Sequence, residues 1–200
     1  MDTRNKIRDI VAAVPGLAYW QSEYCILGDN AGEIDGGKKD TGMTAALYIA
    51  KVVSTDLTAA NAAAWQWWIA ISGYDYKDGL IYVDKNNTNG NYHDSKMMWA
   101  LGNFSRFVRP GMKRIQASIA DLKDVYVSGF AGNPNKELVF VLVNAGNAEQ
   151  LISLKDISRL HQYKKAVYYK TDSSESLGKH ALAGDLLNLP AQSVLTIVLK

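Results

Sequence analysis

The chain has 200 residues, enough for one large domain or two small ones. Its 48% hydrophobic and 21% charged content is that of a soluble globular protein, and a formal net charge of +2 gives no case for nucleic acid, since no basic run exceeds Lys38-Lys39 or Lys164-Lys165. No apolar window of about 18 residues argues for a membrane span, the N-terminal segment shows no export signal of its own, and Cys25, the single cysteine, can form no internal disulfide. His93, His161 and His180 lie too far apart for metal-ligand spacing, so neither a metal nor a cofactor is expected.

In chain order, Thr3 to Ala13 predicts a helix with Ile7, Ile10 and Val11 on one face, stopped by Pro15-Gly16. Leu17 to Tyr24 predicts a short buried strand, and Asp29 to Asp40 a loop rich in glycine and acids. Asp40 or Thr41 can cap a helix from about Gly42 to Asn61, with Met43, Leu47, Ala50, Val53 and Leu57 on one face and Lys51 and Asp56 elsewhere on the wheel. Ala63 to Ser72 reads as a second buried strand, Gly79 to Asp84 as a short one beside it, and Lys85 to Asn91 as a polar loop. A further helix from Asp94 or Ser95 carries Met97, Met98, Leu101, Phe104 and Val108 and ends at Arg109-Pro110-Gly111. Strand, helix, strand, helix with apolar strands suits a parallel sheet covered by helices, a small three-layer domain, or a piece of a larger α/β barrel.

Beyond Gly111 the pattern changes to short strands at roughly 112–118, 124–131, 137–144, 149–154, 164–170, 184–188 and 192–199. Turns are expected at Gly132-Asn133-Pro134-Asn135, Asn144-Ala145-Gly146-Asn147 and Asp172-Ser173-Ser174, and Val139 to Val143 reads as a central strand. Such a succession predicts an antiparallel β-sandwich over residues 111–200, following an α/β portion over residues 1–110.

The chemistry-bearing stretch is WQSEY, Trp20 to Tyr24. Glu23 falls at the carboxyl end of its strand, the end that forms the active-site face when such strands close into a barrel. A carboxylate there can attack an anomeric carbon and form a covalent glycosyl intermediate. The next strand brings Trp65 and Trp67 on one face and Trp68 on the other, and an indole at a barrel mouth can lie flat on a sugar ring. The same residues also fit a structural ion pair and an apolar core, and the pattern alone leaves both readings open.

WQSEY, AWQWWIAIS, DGLIYVD and above all ALGNFSRFVRPGMKRI resemble the carboxyl-terminal part of clan-A retaining glycosidases, nearest to glycoside hydrolase family 30. The closing NLPAQSVLTIVLK is similar to the last strands of that family's side sandwich. The resemblance implies the last two βα units of a (β/α)8 TIM barrel followed by a β-sandwich, with Glu23 as nucleophile, Trp65 or Trp67 lining the sugar subsite and Tyr24 orienting the nucleophile or touching the sugar. The segment from AWQWWIAIS to DGLIYVD looks most like the endo-β-1,6-galactanase branch. The implied substrate is a β-linked oligo- or polysaccharide, with an extracellular or periplasmic home for the full-length enzyme.

The sequence departs from the family in lacking barrel strands one to six, and with them the acid/base glutamate. Retaining hydrolysis needs two carboxyls about 5 Å apart, and the resemblance assigns that role to none of Glu33, Asp35, Asp75 or Asp78. The expectation is therefore a carboxyl-terminal fragment, inactive alone, whose partner is the missing N-terminal barrel portion. The alternative is a non-catalytic carbohydrate- or protein-binding sandwich module, which calls for an aromatic platform beyond Gly111.

Overall fold

The computed structural model describes residues 2–86, 88–119, 122–132, 137–157 and 163–200. Helix α1 (Asp2–Ala12) closes just ahead of Pro15, and Gly16, at φ +80°, turns the chain towards strand β1 (Trp20–Tyr24). The loop that follows holds one 3-10 turn, Asn30–Gly32, and leads into helix α2 (Met43–Thr58). Gly42 occupies the cap position of α2 without a capping side chain, and Asp40 does the work from two residues upstream. Its Oδ1 accepts from the Gly42 N–H at 2.7 Å and its Oδ2 from the Ala45 N–H at 2.9 Å, which places a carboxylate on the positive end of the helix.

Strand β2 (Ala64–Trp67) returns beside β1 in parallel, with Trp20 opposite Ala64, Gln21 opposite Trp65 and Tyr24 opposite Trp67. The apolar run from Ala63 to Ser72 is thus not one strand. After Trp68 and a cis bond to Ile69 it resumes as β3 (Ile71–Ser72), which pairs in parallel with β4 (Ile81–Val83). Strand β5 (Tyr92–Asp94), which carries no apolar alternation, lies antiparallel to β4. Helix α3 (Lys96–Ser105) follows, and the chain divides within it into two compact units, residues 1–98 and 99–200.

In the second unit β6 (Lys113–Ile115), β7 (Val125–Ala131), β8 (Leu138–Asn144), β10 (Ala166–Thr171), β11 (Gly178–Ala181) and β13 (Ser193–Leu199) form an antiparallel sheet in the order β11-β10-β13-β8-β7-β6. Strands β9 (Gln150–Ser153) and β12 (Leu186–Leu189) make a separate antiparallel pair. The core between the two sheets joins Leu142, Leu195, Ile197 and Leu199 to Ile152, Leu187 and Leu189. The apolar run Val139 to Val143 falls in β8, an interior strand between β13 and β7, as expected from its continuous hydrophobicity. Every residue of β13 is buried, because its other face meets α3. There Asn103, fully buried, donates to Thr171 Oγ1 at 2.7 Å and accepts from Thr196 Oγ1 at 2.9 Å. Arg109 Nη1 donates to the Ser105 carbonyl at 2.6 Å, placing a cation at the carboxyl end of α3.

Turn chemistry fixes the strand ends. Asn144 Nδ2 donates to the carbonyls of Ala148, Leu189 and Pro190, while its Oδ1 accepts from the Gly146 N–H. The expected turn at residues 132–135 falls outside the described residues from 133 onward, as does His161. At the turn after β10, Lys170 Nζ reaches Asp172 at 2.9 Å and Glu175 at 2.7 Å, and Asp172 Oδ1 also takes the N–H groups of Ser174 and Glu175. Burial works to raise the Asp172 carboxyl, but the Lys170 ammonium and these donors outweigh it and bring it down to about 2. Glu175 is held low by Lys170 and, beside it, His180. A carboxylate depressed in the folded state stabilises it above the unfolded pKa and loses that contribution as pH falls through the folded value. Acid titration followed by circular dichroism should therefore show about 2 kcal/mol lost between roughly pH 4 and pH 2, and Lys170→Met should flatten that step.

Candidate active site at the carboxyl end of the parallel pair

Tyr24, Trp65 and Trp67 come together as one aromatic cluster. The Tyr24 ring lies 5.7 Å from Trp65 and 6.4 Å from Trp67, and the two indoles stack at 6.2 Å with planes 13° apart. Helix α2 covers this face: Tyr48 and Tyr24 share a hydroxyl–hydroxyl bond of 2.7 Å, and Trp65 Nε1 donates to Asp56 at 2.9 Å. Trp67 Nε1 donates to the Asp78 carbonyl at 2.7 Å. Asp56 is itself buried and held by Arg4 Nε of α1 at 2.5 Å, so one carboxylate ties α1, α2 and β2 together. Burial, then the bond with Tyr48, push the Tyr24 phenol well above its ordinary pKa and keep it protonated.

Glu23 lies on the opposite face. The β1–β2 ladder is irregular between Gln21 and Tyr24, so Ser22 and Glu23 both stand against Gln66. Burial follows that register: Gln21 and Tyr24 are half-buried towards α2, while Trp20, Ser22 and Glu23 are exposed. On β2 the same face carries Gln66, and Trp68, just past the strand's end, is 45% exposed. Among the described residues no hydrogen bond or ion pair engages the Glu23 carboxylate. Next to it, the Cys25 thiol is pushed up by burial and by the negative charges of Glu23 and Asp78, which holds it in the unreactive protonated form.

The loops that leave the carboxyl ends of β1 and β2 are joined. Gly36 donates to the Gly28 carbonyl at 2.8 Å and accepts from the Lys77 N–H at 2.8 Å, Lys77 Nζ donates to the Gly37 carbonyl at 2.5 Å, and the Lys39 N–H reaches Asp75 Oδ1 at 2.9 Å. A Cβ on Gly36 would stand 2.5 Å from the Ile26 carbonyl oxygen, so only glycine permits this approach. Glu33 and Asp35 of these loops have structural partners. Glu33 pairs with Lys51 at 2.7 Å and Asp35 accepts from the Gly37 N–H at 2.9 Å. Asp78 is 4% exposed, and its Oδ1 has no hydrogen-bond partner among the described residues.

The sequence pointed to Trp65 and Trp67 as the sugar-facing tryptophans, whereas the structure anchors both in the cluster with Tyr24 and leaves Trp68 exposed. The signal was present on α2, where Tyr48 and Asp56 lie eight residues apart on one helical face and offer polar groups to whatever packs there. Aromatic side chains facing that helix are anchored by it, which leaves the alternate residue, Trp68, for the open side.

Residues 1–82 match the sequence profile of O-glycosyl hydrolase family 30. The chain is 28% identical over 162 residues to the glucuronoxylanase XynC of Bacillus subtilis, a match covering 78% of this chain and 34% of that protein. It thus spans about a third of the length of that curated relative. Among solved structures, a conserved exported protein from Bacteroides fragilis superposes with a TM-score of 0.78 at 32% identity, covering 98% of this chain and 42% of the other. The catalytic domain of the family 30 xylanase C from Talaromyces cellulolyticus superposes with a TM-score of 0.71 at 25% identity, covering 92% and 41%. Profile, pairwise and structural likeness converge on O-glycosyl hydrolase family 30 as the family this chain resembles.

Proposed function

We propose that this chain supplies the nucleophile-bearing, carboxyl-terminal part of a retaining O-glycoside hydrolase acting on a β-linked polysaccharide, with Glu23 as nucleophile. In this reading β1, α2, β2 and α3 are the last two βα units of a (β/α)8 barrel within residues 1–110, and the sheets beyond residue 111 are its β-sandwich. The observation that carries it is the position of Glu23, exposed at the carboxyl end of β1 on the face shared with Gln66, with Trp68 exposed just past the end of β2. A Glu23 carboxylate oxygen attacks the anomeric carbon, and the bond to the leaving oxygen breaks as that oxygen takes a proton from a general acid. Water, deprotonated by the same group, then displaces Glu23.

That acid/base carboxyl comes from barrel strands outside this sequence. The exposed apolar side chains Ile10, Val14, Leu17 and Trp20 on α1 and around β1 are the surface on which the remaining barrel portion would close. The test joins that portion to this chain and treats the product with an activated dinitrophenyl fluoroglycoside, whose leaving group needs no acid. Mass spectrometry is expected to place a stable glycosyl ester on Glu23; a label on another residue, or none, removes the reading.

The platform role passes to Trp68, with Tyr24, Trp65 and Trp67 as the anchored layer beneath. In the assembled enzyme Trp68→Ala is expected to raise KM about tenfold or more, since one stacked ring is worth roughly 1–2 kcal/mol, and to leave Tm almost unchanged. Trp65→Ala should do the reverse and lower Tm, because it empties part of the aromatic cluster and takes one of the two partners from the buried Asp56 carboxylate. The β-1,6-galactan preference rests on the resemblance of the segment from AWQWWIAIS to DGLIYVD, whereas two of the three relatives above are xylan enzymes by name; reducing-sugar release from the two polymers decides between them. No observation favours the binding-module reading: the exposed large apolar side chains in the described second unit are Leu151 and Leu186, Tyr168 stacks on His180 at 4.9 Å, and Tyr169 packs on Phe107 at 4.4 Å.

A further inference from the structure

We propose that Asn89-Gly90, in the loop joining β4 to β5, is a site of self-modification, at which the Gly90 backbone nitrogen closes on the Asn89 side chain and turns the asparagine into isoaspartate and aspartate. The proposal stands apart from the hydrolase reading. Three steps in the chain set a side-chain acyl carbon just ahead of an unhindered glycine nitrogen: Asp35-Gly36, Asp78-Gly79 and Asn89-Gly90.

The fold closes the first two and leaves the third open. The Gly36 N–H is committed to the Gly28 carbonyl at 2.8 Å, and a Cβ there would stand 2.5 Å from the Ile26 oxygen, so this backbone has no room to turn. Asp78 is 4% exposed, and Gly79 is buried, with an added Cβ 2.9 Å from Ser72 Cβ. Asn89 and Gly90 are both exposed, and among the described residues no hydrogen bond engages the Gly90 N–H. The Asn89 carbonyl is moreover already polarised. Asn86 Nδ2 donates to Asn89 Oδ1 at 2.7 Å, a bond that shares the negative charge building on that oxygen as a nucleophile adds.

Hydroxide removes the Gly90 amide proton, and the nitrogen forms a bond to Asn89 Cγ. The Cγ–Nδ2 bond breaks and ammonia leaves, which gives a cyclic imide. Water then opens one of the two imide carbonyls. Opening at Cγ yields aspartate; opening at the main-chain carbonyl yields isoaspartate, whose backbone runs through Cγ and is one methylene longer. In sum water replaces ammonia, with a gain of about 1 Da and one negative charge.

The product acts on the clasp that shuts the hairpin. Asp84 Oδ2 accepts from the Asn91 backbone and side-chain amides at 2.9 and 3.3 Å, and the Asp84 N–H donates to the Asn91 carbonyl at 3.2 Å. Gly90 is pressed onto Asp84, where a Cβ would come within 3.1 Å of Asp84 Cβ. A longer main chain and a second carboxylate in this loop push Asn91 off Asp84.

The test holds the full chain at about pH 8 and at about pH 6 and follows the tryptic fragment 86–96 by mass spectrometry. A gain of about 1 Da should appear at position 89, about tenfold or more faster at the higher pH because hydroxide takes the proton. An isoaspartate-specific carboxyl methyltransferase should label the same fragment. Gly90→Ala should slow conversion about tenfold by hindering the nitrogen, and Asn86→Ala several-fold. Isoaspartate should form at positions 35 and 78 only in the denatured chain. Modified chain should exchange the Asp84 and Asn91 amide hydrogens faster than unmodified chain does. Conversion at position 89 only after denaturation, equal conversion at position 35 or 78 in the folded chain, or an undiminished rate in both variants overturns the site. Unchanged exchange at Asp84 and Asn91 overturns the opening of the clasp.

Discussion

In the assembled hydrolase, Glu23→Ala is expected to lower kcat by about 10⁴-fold or more, the order seen when a covalent nucleophile is removed, and added azide is expected to restore turnover with inversion at the anomeric carbon. The alanine leaves a space on the open face of β1 where a small anion can stand in for the carboxylate. An azide attacking from that side forms one bond to carbon and expels the leaving group, and the product keeps the inverted configuration because nothing displaces the azide. A residue that merely positions substrate would show no such rescue. Stability should barely change, since the Glu23 side chain is exposed and engages no partner among the described residues. A Glu23→Ala enzyme with more than a hundredth of the original kcat, or an azide product of unchanged configuration, removes Glu23 from the nucleophile role.

The second large effect is on folding. Asn103→Leu should destabilise the second unit by about 3 kcal/mol, seen as a Tm lowered by about 10 °C. Asn103 has no exposed surface, and its amide reaches the Trp99 carbonyl at 3.0 Å, Thr171 and Thr196. The leucine leaves Thr171 and Thr196, both fully buried, short of partners that water cannot replace. Thr196→Val alone should cost less, because Asn103 keeps two of its bonds. In a double-mutant cycle the two substitutions should fall short of additivity by about 1 kcal/mol; strict additivity would mean that the Asn103–Thr196 contact carries no energy.

Much of this architecture could be read from residue spacing because burial imposes a period. The face from Leu47 to Val53 announced α2, and Pro15-Gly16 announced the end of α1. The uninterrupted apolar runs of β8 and β13 marked strands covered on both sides. Polar edge strands gave no such signal: β11, Gly-Lys-His-Ala, is defined by its ladder with β10, and β5 by its ladder with β4. The break after Trp67 was hidden for the opposite reason, because Ala63 to Ser72 stays apolar while the chain changes direction. At the candidate site, Glu23 was singled out by the carboxyl-end rule and the family resemblance, and its exposure at the end of β1 was legible there. Which tryptophan stays exposed was not, because the choice depends on which side α2 covers, a tertiary fact.

The irregular step at Ser22 has a consequence for how this strand can vary. Two residues share the place of one, so the rhythm of alternate facing slips by a beat between Gln21 and Tyr24. Removing Ser22 would let the strand run straight with Gln21, Glu23 and Tyr24 all facing as they do now. The carboxylate, however, would be drawn back into line with the ladder instead of standing proud of it. The damage would be one of reach, not of orientation, and no substitution that preserves chain length can imitate it.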